Sequence, residues 1–348
     1  MRQIVVTIFA ILAALPLMAD PALWGREWPQ TNFEKTTLSD WSEIISGGPP
    51  KDGIPALVDP AFIAAGDAAL PQNEPVITVE LAQQTPRAYP LRYLMWHEIV
   101  NDLIGAHPVA VTFCPLCNSG LTFDRRLDGR VLEFGVSGKL RGSDMVMYDR
   151  QTESWWQQAL GRAIVGELTG AQLTPVASWM ESVGQFRTRN PDGLIMDQPD
   201  FPRAYGRNPY VGYDGSTDPF LYSGELPPHD IPALARVVRV GPRAWPLGRL
   251  RETGELSEAG VHLTWQAGQS SALDTAQIAK GRDVGSIRVR DAAGRALTMQ
   301  SYEFEPIGKG CRTSASSRTS ESTLMMDTGT MSTMRVDDPV AGAEYSHR

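Results

Sequence analysis

The chain is poor in cysteine, with Cys114, Cys117 and Cys311 only among 348 residues. An exported domain stapled by disulfides carries more, at several spacings, so this fold has to be held by its core. Basic charge is also lacking. A net charge of -8 argues against a nucleic-acid partner, which calls for a basic face. After residue 18 no apolar run approaches the length of a membrane span. Phosphate-cradling glycine loops of either common kind are missing, which leaves no nucleotide site to propose.

One apolar run is present, at the start. Met1 and Arg2 precede a stretch from Ile4 to Met18 broken only by Thr7 and Pro16, and the small Ala19 precedes Asp20. A basic start, a short apolar core and a small exit residue form a secretory signal. Cleavage after Ala19 is the expected outcome, although Leu17 is larger than that site prefers; an uncleaved N-terminal anchor is the competing reading. The protein is thus expected to be exported, to the periplasm or beyond, with no membrane span after cleavage. A periplasmic protein partner is compatible with this, but nothing in the chain names one.

The remainder divides by composition. Residues 20–50 form a polar leader with Trp24, Trp28, Phe33 and Trp41, expected to pack onto the body, and end in Gly47-Gly48-Pro49-Pro50. Residues 51–197 and 231–306 read as two tandem β-rich pseudo-repeats with a few short helices, a mainly β (α+β) fold. Val79-Glu80-Leu81 with Arg87-Ala88-Tyr89-Pro90-Leu91 matches Val237-Val238-Arg239-Val240 with Arg243-Ala244-Trp245-Pro246-Leu247. Val109 to Phe113 matches Val261 to Trp265 in the same order. Residues 198–230, rich in Pro, Gly, Tyr and Asp, read as a structured linker, or else as a loop over the site. The tail from 307 to 348 lacks apolar periodicity and is expected to be disordered or frameshifted, which truncates the second unit.

Local patterns place the elements. Val76 to Leu81, Val109 to Phe113 and Met145 to Tyr148 are strand-like. Asp128-Gly129 between apolar runs signals a tight hairpin, because that turn needs positive φ. Leu91, Leu94, Met95, Ile99 and Leu103 recur at helical spacing after Pro90, which predicts a helix from 90 to 102 carrying His97 and Glu98. A second helix is expected near 177–189.

The chemistry-bearing motif is Cys114-Pro115-Leu116-Cys117. This spacing sets two thiols close enough to bridge or to share a soft ion. In the first reading they bind a metal, with His97 as third ligand and Met145 as fourth; imidazole, thiolate and thioether together put copper ahead of zinc. In the second, Cys114 and Cys117 are the catalytic dithiol of a thiol-disulfide oxidoreductase. In the third they form a structural disulfide in a binding or scaffold protein. Asn118 follows the pair where a haem-attachment motif needs His, so no haem is expected. One pair alone also excludes a four-cysteine zinc ribbon. The second unit has Gln266 and Gln269 near the cysteine positions and Thr253 near that of His97, so the scaffold does without all three. Glu98 reads as a solvated helix charge, and Asp144 and Asp149 as turn residues flanking a strand.

These motifs carry a resemblance. Tyr89-Pro-Leu-Arg-x-Leu-x-Trp-His97-Glu-Ile-Val-Asn-Asp102, Pro108 to Cys117, Phe134-Gly-Val-Ser-Gly138 and Asp144 to Ser154 resemble the family catalogued as domain of unknown function 3179. The resemblance places the family's signature residues on His97, Cys114 and Cys117. It implies an exported protein and brings no mechanism.

Overall fold

The computed structural model describes residues 21–222, 224, 232–240, 243–294 and 298–301, with short strands at 324–325 and 334–337. The expected signal segment, Cys311 and all but those two strands of the expected 307–348 tail lie outside the described residues. Within them the chain is mostly β, in several sheets, with four short α-helices of at most seven residues.

The leader lies on the body. Its short helix α1 (Pro21–Trp24) carries Trp24, whose ring centroid sits 5.1 Å from that of Trp155; Phe33 sits 5.5 Å from the same ring. Strand β1 (Ile44–Ser46) then adds to a sheet formed later in the chain. Burial of these large rings ties the leader down, since each removes a broad apolar surface from water.

Two short strands follow, β2 (Leu57–Val58) and β3 (Phe62–Ala64), then β4 (Pro75–Val79), β5 (Arg87–Pro90), α2 (Leu91–His97), β6 (Ile99–Ile104), β7 (His107–Cys114) and β8 (Ser119–Asp124). The helix is shorter than the spacing predicted. Glu98 takes φ 58 and ψ −34, which ends it, and Ile99 onward pairs with β7 instead. The β-branched Ile99 and Val100 suit that ladder better than a continued helix turn. At Asp128 (φ 48) and Gly129 (φ 76) the chain turns between β9 (Arg126–Leu127) and β10 (Arg130–Val131), as the dipeptide predicts.

A second antiparallel sheet holds β1, β11 (Phe134–Arg141), β12 (Asp144–Asp149), β13 (Trp155–Gln157) and β14 (Arg162–Val165). After β15 (Pro175–Val176), the region expected as one helix is strand β16 (Ser178–Ser182) followed by α3 (Val183–Arg189) and strand β17 (Leu194–Met196). Ser182 is the reason: its hydroxyl and Gln185 form a capping box that starts the helix there, while 178–182 pair with β4.

Strands β6, β7 and β8 form the middle layer. Val109, Val111 and Phe113 of β7 pack on the layer of β4, β5 and α2. Ala110 and Cys114, which alternate with them, pack on β11 and β12. The period-two geometry of a strand thus turns Cys114 toward the second sheet. Nearly every residue of β7, β8 and β12 is buried, which explains their continuous rather than alternating apolar pattern.

The succession of strand, strand, seven-residue helix, strand, strand recurs as β18 (Val237–Val240), β19 (Arg243–Pro246), α4 (Leu247–Thr253), β20 (Glu255–Glu258) and β21 (Val261–Gln266). Pro90 and Pro246 stand before the two helices at φ −63 and −61. Glu98 and Gly254 end them at φ 58 and 76. The later strands β20 and β21 build their own sheet with β22 (Ser286–Asp291). Glu181 on β16 fastens this part to the rest: its buried carboxylate accepts from Arg288 on β22 at 2.6 Å, from Thr78 at 2.9 Å and from Arg189. Glu181→Ala leaves Arg288 without its acceptor and Arg189 with Glu80 alone, and is expected to lower stability by about 2 kcal/mol in urea unfolding. An unchanged midpoint would show that the contact carries no weight.

Candidate metal centre and adjoining cavity

The cysteine motif is the connection between β7 and β8. Cys114 and Ser119 are paired across the ladder, and residues 115–118 make the turn. The Asn118 amide donates to the Pro115 carbonyl at 3.2 Å, and Asn118 itself sits at φ 47, a conformation asparagine tolerates. The turn folds both sulfurs inward. Cys114 and Cys117 are buried and unbridged.

Asp144 arrives from the other sheet. Arg141 and Asp144 are paired across the tight turn Gly142-Ser143, both at positive φ, so Asp144 is the first residue of β12. The Cys117 thiol lies 3.5 Å from the Asp144 Oδ1 and 3.5 Å from the Ser143 carbonyl; the Cys114 Sγ is 3.9 Å from that same carbonyl. The Ala159 amide donates to the Asp144 Oδ2 at 3.0 Å. One donor atom from each of Cys114, Cys117 and Asp144 lies within 4.8 Å of the others. Burial pushes the Cys117 thiol well above its ordinary pKa, and the adjacent Cys114 and Asp144 add to this, because a thiolate there would face like charge.

His97, expected as a third ligand, is not in that group of three donors. Its Nδ1 is 2.7 Å from the Pro55 carbonyl and its Nε2 is 2.6 Å from the Tyr205 hydroxyl. A carbonyl only accepts, so Nδ1 carries the proton and, in the neutral ring, Nε2 accepts from Tyr205. Burial holds His97 below its usual pKa, and the charge of Arg203 acts in the same direction. Both nitrogens are committed, and the third donor beside the cysteines is the Asp144 carboxylate. Met145 is buried in the same apolar cluster as Cys114 and Cys117. Asp149 behaves as expected of a turn residue, accepting from the Thr152 amide at 2.7 Å and from the Trp156 indole at 2.9 Å.

The expectation of a solvated Glu98 is also overturned. This side chain is 8% exposed, and among the described residues its carboxyl has no hydrogen-bond or ion-pair partner. Its backbone is in a region that strains any residue but glycine, at a cost of about 1–3 kcal/mol. The residue that ends α4 in the same way is Gly254. Burial alone pushes Glu98 up to about 8. Glu98 borders a cavity of about 70 Å³ that is also lined by Cys114, Leu116, Met145 and Tyr210. A wider cleft of about 430 Å³, lined by Leu116, Tyr210, Tyr213, Asp218 and Phe220, shares Leu116 and Tyr210 with it.

Two thiols, a carboxylate and a second, unpartnered carboxyl across a small cavity make a donor set suited to a thiophilic ion, or to thiol chemistry with a neighbouring acid. Residues 51–327 match the family described as protein of unknown function, DUF3179. The chain belongs to that family. No curated protein and no solved structure matches it. Glu98, Cys114, Cys117 and Asp144 all fall inside the DUF3179 segment, whereas the aromatic leader, residues 20–50, precedes it.

The Glu98 shift has a pH consequence. An unfolded glutamate titrates near 4.5 and the folded one near 8, so the folded protein holds this proton more tightly. The contribution is complete below pH 4.5 and is lost as pH rises through 8. In metal-free DUF3179 protein, Glu98→Gln is expected to flatten this decline and to be more stable than the parent at pH 9, by on the order of 3 kcal/mol. Urea midpoints at pH 5 and pH 9 read it; identical pH dependence in both proteins would contradict the burial argument.

Proposed function

We propose that this protein is an exported binding protein for a thiophilic metal ion, held by Cys114, Cys117 and Asp144. The observation that carries the reading is the convergence of three donors from two different sheets on one buried point, with both thiols free. Tetrahedral zinc, with Zn–S about 2.3 Å and Zn–O about 2.0–2.2 Å, spaces its donors by roughly 3.5 Å. The Cys117 and Asp144 donors already stand at 3.5 Å, and rotation of the side chains closes the remaining spread.

The donor set also bears on which ion is held. Copper leads zinc when the third ligand is an imidazole. A carboxylate in that place is harder and suits zinc, while Cu(I) keeps to sulfur and nitrogen donors. Met145 supplies the one feature that still favours copper. Zinc is therefore placed first. Thiols must lose their protons to bind, so the raised Cys117 makes affinity fall steeply as pH drops.

A second reading, thiol-disulfide exchange, is favoured by one arrangement. Cys114 borders a cavity and Cys117 lies behind it beside a carboxylate, which is how an attacking and a resolving thiol are ordered. Elemental analysis and competition titration under reducing conditions separate the two. One zinc per chain is expected, abolished by Cys117→Ser and weakened at least about tenfold by Asp144→Ala. His97→Ala should keep the stoichiometry while losing stability, because it frees Tyr205 and Pro55. A protein that takes up neither Zn(II) nor Cu(I), yet equilibrates its thiols with glutathione, would replace the metal reading with the exchange reading.

A further inference from the structure

Glu98 is a buried acid to which the described residues offer no partner. It sits on strained backbone, where the later unit of the same chain uses glycine. Native structures keep such a group when it has work to do, since both features cost stability. Glu98 lines the cavity together with Cys114, Met145 and Tyr210, and most of the other walls are apolar, among them Ile54, Val136 and Leu140. Lys139 also borders it, but its ammonium is engaged by Glu27 at 3.8 Å and by the Trp24 ring at 4.9 Å. Cys117 and Asp144 line neither the cavity nor the outer cleft. Of the three proposed ligands, Cys114 is therefore the one that meets this space.

The cavity is small. At about 70 Å³ it has room for roughly two to five water molecules, fewer than a fully hydrated divalent ion carries. An ion that enters must shed water, and in a mostly apolar chamber that loss needs a replacement ligand of opposite charge.

We infer that this cavity is the loading chamber of the metal centre, with Glu98 as the first ligand of an incoming thiophilic divalent cation. The ion enters from the outer cleft between Leu116 and Tyr210. Glu98 gives up its proton to water as the ion arrives, and its carboxylate, with Met145 and Cys114, holds the ion as it dehydrates; the carboxyl takes a proton back when the ion moves on. The ion then moves onto Cys114, Cys117 and Asp144, and the two thiol protons leave as the metal–sulfur bonds form. The order of donors runs from a carboxylate, a ready oxygen ligand for a hydrated ion, to a pair of thiolates, the tighter soft ligands. This inference rests on the metal reading above.

Rapid mixing of reduced, metal-free protein with Co(II) tests it, with sulfur-to-cobalt charge-transfer absorbance as the signal and release to a chelator as the reverse experiment. Glu98→Gln keeps the shape of the side chain, and Glu98→Gly relieves the backbone, so at least one variant folds. Both are expected to load and to release about tenfold more slowly than the parent, with the same final amplitude and one ion per chain. Loading at the parental rate in both variants would overturn the proposal. So would an unchanged rate with a loss of equilibrium affinity, which would make Glu98 a ligand of the resting centre. Both results leave the metal reading standing. A parent protein with two titratable thiols that binds no cobalt, zinc or copper would end the metal reading and this inference together.

Discussion

The cysteine turn and the carboxylate beside it belong to different sheets, and a small set of buried hydrogen bonds holds those sheets in register. Gln158 follows β13 and reaches across to the hairpin. Its Nε2 donates to the Thr112 hydroxyl at 2.9 Å, and its Oε1 accepts from the Ser119 hydroxyl at 3.0 Å. Its own amide donates to the Met145 carbonyl at 3.0 Å, and the next amide, of Ala159, holds Asp144. All of these groups are buried, so breaking one bond leaves a donor or acceptor unsatisfied in a low dielectric. Through that tie the hairpin that carries the two sulfurs and the start of β12 that carries Asp144 share one set of hydrogen bonds.

His97 acts at one remove from the same site. By holding the Pro55 carbonyl and the Tyr205 hydroxyl it fastens two chain segments to the end of α2. One of these, residues 201–222, supplies Tyr210, Tyr213 and Phe220 to the outer cleft. The Ser143 hydroxyl donates to the Phe220 carbonyl at 2.6 Å, and the Phe220 amide donates to the Tyr213 hydroxyl at 3.0 Å. Within the described residues, the segment that reads in sequence as a linker is held at Tyr205 by His97 and at Phe220 by Ser143. A histidine that looks like a ligand serves as a clamp for the wall of the site.

Much of the fold was legible because local rules and packing agreed. The strands at 109–113 and 145–148 show apolar β-branched and bulky runs, and Asp128-Gly129 announces its turn. Where they disagreed, sequence reading failed in specific places. The apolar spacing of Leu91 to Leu103 suits a helix, but the backbone at Glu98 breaks it and strand pairing takes the second half. Asp144 beside Ser143 has the look of a turn residue, yet it opens β12 and is fully buried. Glu98 next to His97 looks solvated because nothing local signals a cavity.

By itself the sequence determined many of the strands, the Asp128-Gly129 turn and the paired cysteines, since periodicity and turn chemistry are local properties of the chain. Only the tertiary structure decided which groups join the cysteines. Asp144 and Glu98 come to the turn, and His97 does not, because that choice depends on how three layers stack and which face of each element looks inward. No spacing along the chain encodes a distance of 3.5 Å between residues on separate sheets.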